Sequence, residues 1–476
     1  MTLPRDAVRR LSGFGFSAHA DGYVVPCATE DDLRRAFALA RANDRPVVLR
    51  GAGRSYGDAA YRAEAVVLDL TPMNQIEAWD PATGRIIAQA GVDIDHLWRR
   101  TLPDGWWPPV VSGTSFTTVG GALAMNIHGK NHFRSGSFAE HVVRIELMTP
   151  DGQILPLRPQ DPRFRAVIGS AGLLGVVLRA EIQFKPVTSG DLRVLAFTVP
   201  DWHAQFEAME RYAGDANYLV SWVDLFATGS GAGRGVIHAA WYPDESAPKT
   251  LTLEHQALPS KILGLVPKSQ VWRALRPLNR RAGMRFINAA KYLSSRIKGN
   301  GKEHCQSLVA FSFLLDYVPD WRRAYEPDGF VQFQAFVPRA AAQATFAELA
   351  RRAQAAGQEA FLGVLKRHRP DPFLLTWALD GYSLAMDFRV NPALAATQTA
   401  LFMKMTETVL SAGGRFYLAK DSTLTAAQFR AYLGPDAIAA FAQIHAQMDP
   451  EGLLTSALSE RLGLDQVGPA SPTESS

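Results

Sequence analysis

The sequence predicts an α+β protein of two domains, and three observations predict it. Strand-like and helix-like stretches alternate through the first 190 residues or so. Beyond that point, apolar runs of strand length dominate, with amphipathic helices between them. The closing stretches, from FYLAKDS (416–422) onward, read as a return to the first unit. Such a division suits a chain of 476 residues, long enough for two or three domains. The expected boundaries are 1–190, 191–412 and 413–465. A tail over 466–476, poor in apolar residues, reads as disordered.

In order along the chain, EDDLRRAFALARAND (30–44) places Leu33, Ala36, Phe37 and Ala40 at helical spacing. Thr29 stands ready as its N-cap, with acids in the first turn. PVVLR (46–50) and AVVLDL (65–70) are buried strands, and RIIAQAGVDIDHLWRRTL (85–102) is strand, turn and helix. In the second domain the strands are YLVSWVDLFA (218–227), RGVIHAAWY (234–242), SLVAFSFLLDYV (307–318), FVQFQAFVP (330–338), LLTWALD (374–380) and YSLAMDFRV (382–390). Helices follow at 339–355 and in TQTALFMKMTETVLSAGG (397–414). The pattern is an antiparallel sheet with helices on one side.

Composition excludes several classes. Apolar residues make up 47% and charged residues 20%, ordinary for a globular chain. Cys27 and Cys305 lie too far apart for a disulfide framework or a zinc site, and so few cysteines fit a reducing cytoplasm. No metal site is expected. The N-terminal MTLPRDAVRRLSGFGF has basic residues without the apolar stretch of a signal peptide. No apolar run is long enough to span a bilayer. A net charge of +4 does not argue for nucleic acid, and no recognition motif does either.

Three glycine-bearing stretches carry the chemistry. GAGRSYGD (51–58) follows a strand and fits neither the dinucleotide nor the P-loop fingerprint, yet its turn offers backbone N–H groups to an anion. SGTSFTTVGGALAMNIHGKNHFRSGSF (112–138) joins small residues and paired glycines to a helix start. It also clusters His128, Lys130, Asn131 and His132. SAGLLGVVLRAEI (170–182) is a glycine turn running into a strand. GSGAGRG (229–235) lies between two strand-like runs and reads as a hairpin turn, not a phosphate loop.

These three stretches, in this order, resemble the vanillyl-alcohol-oxidase superfamily of PCMH-type, FAD-linked oxidoreductases. RSYGD, GGALAMNIHGKNH, WRRAYEPDGFVQFQAFVP (321–338) and GGRFYLAKDS (413–422) are similar, within it, to the oxidase subunits of decaprenylphosphoryl-β-D-ribose 2-epimerases. The resemblance implies FAD, with Arg50, Gly51, Ala52, Gly53, Arg54, Ser55, Tyr56 and Gly57 around the pyrophosphate. Gly113, Thr114, Thr118, Gly120, Gly121 and Ala124 would follow the cofactor inward, and Val176 and Tyr417 would touch the flavin. His128, Tyr56, Gln332, Gln334, Lys366 and Lys420 map to the substrate side. Ser383 stands where the family has Asn, and Ala385 where the mycobacterial relatives have Cys. Arg54 occupies the position from which a histidine tethers FAD covalently in some relatives. No His lies between 20 and 95 and no Cys between 28 and 304, so the FAD is expected to be non-covalent.

The implied reaction is oxidation of a sugar secondary hydroxyl to a ketone on a polyprenyl-phosphate pentose. A short-chain reductase using a nicotinamide cofactor would complete a 2-epimerisation. Lys420 is the first candidate for base or alcohol-polarising residue, and Tyr56 and His128 are the other catalytic candidates. A soluble oxidase of free sugars, alditols or aldonolactones remains a second reading, and a silent FAD-binding scaffold a third. Finally, residues 261–302 contain eleven Lys or Arg and no acid, interleaved with apolar residues and Trp272. That pattern predicts peripheral contact with a membrane, on its inner face for a cytoplasmic protein.

Overall fold

The computed structural model describes Leu3, residues 5–262 and residues 266–464. The expected tail at 466–476, and 263–265 of the basic segment, lie outside the described residues. The chain begins with a four-stranded sheet in the order Val8–Ser12, His19–Pro26, Val66–Asp69, Val47–Arg50. Its first pair is antiparallel and the others parallel. The helix Glu30–Ala42 buries Leu33, Ala36, Phe37 and Ala40, the four residues its spacing predicts. Thr29 and Asp32 close a reciprocal capping box at its start.

A second, five-stranded antiparallel sheet runs Ile76–Asp80, Arg85–Gln89, Val176–Gln183, Val142–Met148, Ile154–Leu157. The eight-stranded sheet of the remaining chain is antiparallel throughout. Its order is Lys302–Ser307, Asp191–Val199, Gly235–Trp241, Tyr218–Val223, Leu362–His368, Gly381–Arg389, Phe330–Pro338, Arg415–Phe416. The turn at 229–235 links two paired strands of this sheet, as a hairpin turn should.

The expectation of helices on one side needs correction. Helices Trp202–Ala213, Arg339–Ala355 and Ala395–Ser411 share one face, against which Ser221 hydrogen-bonds Gln205 at 2.7 Å. The helix Arg281–Ile297 lies on the opposite face: its Lys291 sits over the ring of Trp222, the residue next to Ser221. Neighbouring residues of a strand point to opposite faces.

Two expected strands are not strands. SLVAFSFLLDYV forms the short helix Leu308–Ser312 and then a loop. Ser307 caps it by accepting the Ala310 N–H, and the Lys130 ammonium donates to the carbonyls of Phe311 and Ser312. LLTWALD is irregular. The Leu374 N–H goes to the Arg165 carbonyl and the Ala378 N–H to the Thr376 hydroxyl, so no ladder forms.

The final segment first adds the edge strand Arg415–Phe416 to the large sheet, and then crosses back. The Tyr56 N–H bonds the Ala419 carbonyl, the Val47 N–H bonds Leu453, and the Thr455 N–H bonds Val47, each at 2.8 Å.

Candidate active site

The glycine loop, the 112–130 stretch and one face of the eight-stranded sheet enclose a single cavity. Arg50 through Tyr56 form one wall, and Gly113, Thr114, Thr118, Gly120, Gly121 and Ala124 the next. Two positions in this wall suit only glycine. A Cβ on Gly51 would stand 2.4 Å from the Thr118 hydroxyl oxygen, and Gly53 has a φ of +64°. The Arg50 guanidinium is used on the carbonyls of Ser12 and Ala60. The Arg54 guanidinium lies between the rings of Phe14 and Phe116, and its buried Nε has no partner among the described residues. A glycine-bearing turn beside a guanidinium whose buried Nε has no partner among the described residues fits the diphosphate of a dinucleotide.

Deeper in, the sheet supplies the polar groups. Gln332 and Gln334 alternate onto one face of Phe330–Pro338, opposite Asp387 and Ala385 in register. Lys366 lies opposite Ser383 on the neighbouring strand. Gln332 donates to the buried Asp387 carboxylate. The Lys420 ammonium sits 3.3 Å from the centroid of the Tyr56 ring. Gln334 meets His128 Nε2 at 3.3 Å, and His128 packs on Trp377 and Tyr417 at ring distances of 4.7 and 5.1 Å.

Electrostatics follows from this enclosure. Burial pushes the Lys366 ammonium down to about 8, and burial reinforced by Lys366 pushes Lys130 down to about 7. Lys420 is lowered by burial and Lys366, against the opposing pull of Asp387. The Asp387 carboxyl is raised by its own burial, which outweighs the Gln332 hydrogen bond and Lys420. Burial, followed by Lys366, His132 and Lys420, holds His128 well below an ordinary imidazole, so it is neutral at pH 7. The site thus offers a lysine poised to lose its proton, a neutral histidine and two amides.

Comparison with known proteins settles the family. The FAD binding domain family matches residues 22–158. The decaprenylphosphoryl-β-D-ribose oxidase of Mycolicibacterium smegmatis is 32% identical over 426 residues, covering 87% of this chain and 89% of that one. The chain belongs to this family of FAD-linked oxidoreductases. A D-arabinono-1,4-lactone oxidase, so named as putative, of Neurospora crassa is 26% identical over 39% of this chain and 33% of its own. The mouse L-gulonolactone oxidase is 27% identical over 33% of this chain and 35% of its own. The protein is therefore an FAD-dependent oxidoreductase.

Within this FAD enzyme the cavity gathers most of the residues predicted for it, including Tyr417, Ala385, Lys366, Lys420, Gln332, Gln334 and His128. Three predicted residues do not line it. Gly57 serves a different close approach, since its Cβ would stand 2.0 Å from the Asp421 carbonyl oxygen. The Val176 side chain turns into the core with Met148 and Leu178, while Gly175 and Val177 on either side line the cavity. Ser383 is buried behind the wall, bonded to His368 Nε2 at 2.8 Å, and reaches Gln334 from there at 3.5 Å.

Sequence reasoning also passed over contributors. Asp387 follows Ser383 and Ala385 at strand spacing, a period-of-two signal that points to it. Lys130 stood inside the histidine cluster with no role assigned. Leu314 and Leu315 line the cavity from a stretch expected to be strand. Asp316 ties that stretch down by accepting from the Thr114 hydroxyl at 2.7 Å and the Ser115 N–H at 2.7 Å. Among the described residues no cluster suited to a metal ion occurs, and no helix is long and apolar enough to cross a membrane.

Proposed function

We propose that this enzyme oxidises a secondary hydroxyl of a lipid-linked, phosphate-bearing pentose to a ketone. That reaction is the oxidising half of a 2-epimerisation, which a nicotinamide-dependent short-chain reductase completes. The observation that carries the reading is the placement of Lys420, Tyr56, Gln332, Gln334, His128 and Lys366 on the walls of the FAD cavity. The name of the mycobacterial relative, similar along most of the chain, supplies the substrate class. Likeness to lactone oxidases covers about a third of the chain and bears less on the substrate side.

FAD, when bound, accepts the hydride. The chain's own residues do the rest. Lys420 in its neutral form takes the hydroxyl proton, and Asp387 sets how readily that proton is held. Tyr56 and the Gln334–His128 pair orient the alcohol, while Lys366 places positive charge beside developing negative charge. Arg50 to Tyr56, the lining residues between Gly113 and Ala124, the turn before Val176 and Tyr417 would hold the cofactor. The FAD is non-covalent in this reading: Arg54 lines the cavity where some relatives carry the tethering histidine, Cys27 is buried in the core and Cys305 lies on the surface. Residues 1–190 and 413–465 act as the FAD unit and 191–412 as its substrate cap.

The helix Arg281–Ile297 supports docking at an anionic membrane, at the inner face for a cytoplasmic enzyme. Phe286, Leu293 and Ile297 are 71%, 56% and 72% exposed, with Arg296 and Lys298 exposed beside them. The experiment is anaerobic mixing of the yellow protein with polyprenyl-phosphate pentoses and with free sugars or lactones. Loss of the visible flavin band with the lipid-linked pentose alone is the expected result. Bleaching by free sugars or lactones instead overturns this reading.

A further inference from the structure

The helix Val119–Ala124 ends in a turn whose middle residue, Asn126, has a φ of +45°. The Asn126 N–H bonds the Leu123 carbonyl and the Ile127 N–H bonds Ala122, both at 3.0 Å. This is the helix stop that ordinarily uses glycine, with asparagine the usual second choice. Asn126 is 2% exposed, so its amide needs partners inside the protein. Its Nδ2 donates to Asp371 Oδ2 at 2.9 Å, and its Oδ1 has no partner among the described residues.

Asp371 comes from the irregular loop that carries Trp377, far along the chain. Its other oxygen accepts from the Phe373 N–H at 3.2 Å. The same loop grips the histidine stretch at its far end, where the Arg369 N–H reaches His132 Nδ1 at 3.4 Å. The loop therefore clasps residues 126 and 132, and His128 stands between the two grips. Met125, Ile127 and His128 all line the cavity. Glu140, paired with Arg369 at 2.8 Å, is the other acid nearby.

We propose that Asp371 is a positioning residue that holds the left-handed turn at Asn126 and so fixes Met125, Ile127 and His128 in the cavity wall. A strained backbone of this kind persists only where its surroundings over-determine it. Without the carboxylate, the buried Asn126 amide loses the bond that its Nδ2 makes and the turn relaxes. The claim rests on the cavity being the FAD site of the proposed function, but not on the identity of the alcohol.

The test is a double-mutant cycle read by FAD titration of the apoprotein and by thermal midpoint. Glycine adopts the left-handed turn unaided, so Asn126→Gly removes the need for Asp371. Asp371→Ala is expected to weaken FAD binding about tenfold when Asn126 is present and under about twofold in the Asn126→Gly background. Asp371→Asn keeps one acceptor oxygen and is expected to lose less than Asp371→Ala. Equal losses in the two backgrounds, or no loss in either, overturn the proposal. If Asp371→Ala alone fails to fold, recovery of folded, FAD-binding protein by the added Asn126→Gly supports it, and failure to recover overturns it. A cofactor titration holds or fails whichever compound bleaches the enzyme, so the two readings fail separately.

Discussion

Lys420 is a lysine made useful by enclosure. Outside the protein its ammonium would hold its proton throughout the physiological range. In the cavity, burial and the nearby Lys366 favour the neutral amine, and Asp387 opposes them. Proton acceptance requires that neutral form, so the rate of flavin bleaching by substrate should rise with pH through the Lys420 midpoint. Replacing Asp387 by Asn removes the charge that stabilises the ammonium, and the midpoint should then move to lower pH. Lys420→Met should cost about a hundredfold or more in bleaching rate while leaving the visible flavin spectrum intact. An unshifted profile in Asp387→Asn, or a Lys420→Met enzyme at full rate, would show that the proton goes elsewhere.

At the scale of elements, Arg281–Ile297 is unusual in turning apolar residues outward. Phe286, Leu293 and Ile297 fall seven and four residues apart, which puts them on one side of a helix. Arg281 and Arg285 bond the buried Glu359 and anchor the helix start, leaving the apolar stripe and the later cations free of that task. Changing the three apolar residues to Ser should abolish co-sedimentation with vesicles containing anionic lipid, with little change in thermal midpoint. Undiminished vesicle binding by that variant would rule out the stripe as the docking face. Residues 281–297 read in sequence only as part of a basic stretch interleaved with apolar residues, whereas Glu30–Ala42 and Arg339–Ala355 are legible as helices because their period survives without partners. The stretches at 307–318 and 374–380 are not. Their apolar runs carry no decisive period, and their shape depends on distant partners, Lys130 for one and Arg165 for the other. The same holds inside the site: the glycine wall is legible through its resemblance to a family, whereas Asp371 meets Asn126 across 245 residues and leaves no local mark.

For the whole molecule, closure depends on the C-terminal segment crossing back over the glycine loop. The sequence reads the stretches from FYLAKDS onward as a return to the first unit, but nothing in their local pattern says which strand they will meet. The structure shows what holds it. Arg461 bonds both oxygens of Asp58, at 2.8 and 2.9 Å, and Asp421 at 2.9 Å. Asp58 ends the glycine loop, and Asp421 follows Lys420 directly, so one guanidinium couples the glycine wall to the proposed proton acceptor. Asp421 keeps only 3% of its side-chain exposure, and the two carboxylates drive the Arg461 guanidinium further up than burial lowers it. Arg461→Ala would leave both carboxylates near each other with no cation between them. Removing one partner of a fully buried ion pair typically costs about 3 to 5 kcal/mol, and Arg461, with 24% of its side chain exposed, should cost less than that. A fall of several degrees in thermal midpoint and loss of FAD on gel filtration are therefore expected. Arg461→Lys keeps the charge but not the forked geometry that spans two acids, so it should fall between wild type and Arg461→Ala. If Arg461→Ala keeps both its midpoint and its yellow colour, the backbone bonds at Tyr56, Val47 and Thr455 suffice to close the fold, and the ion pair is not what joins the two ends of the chain.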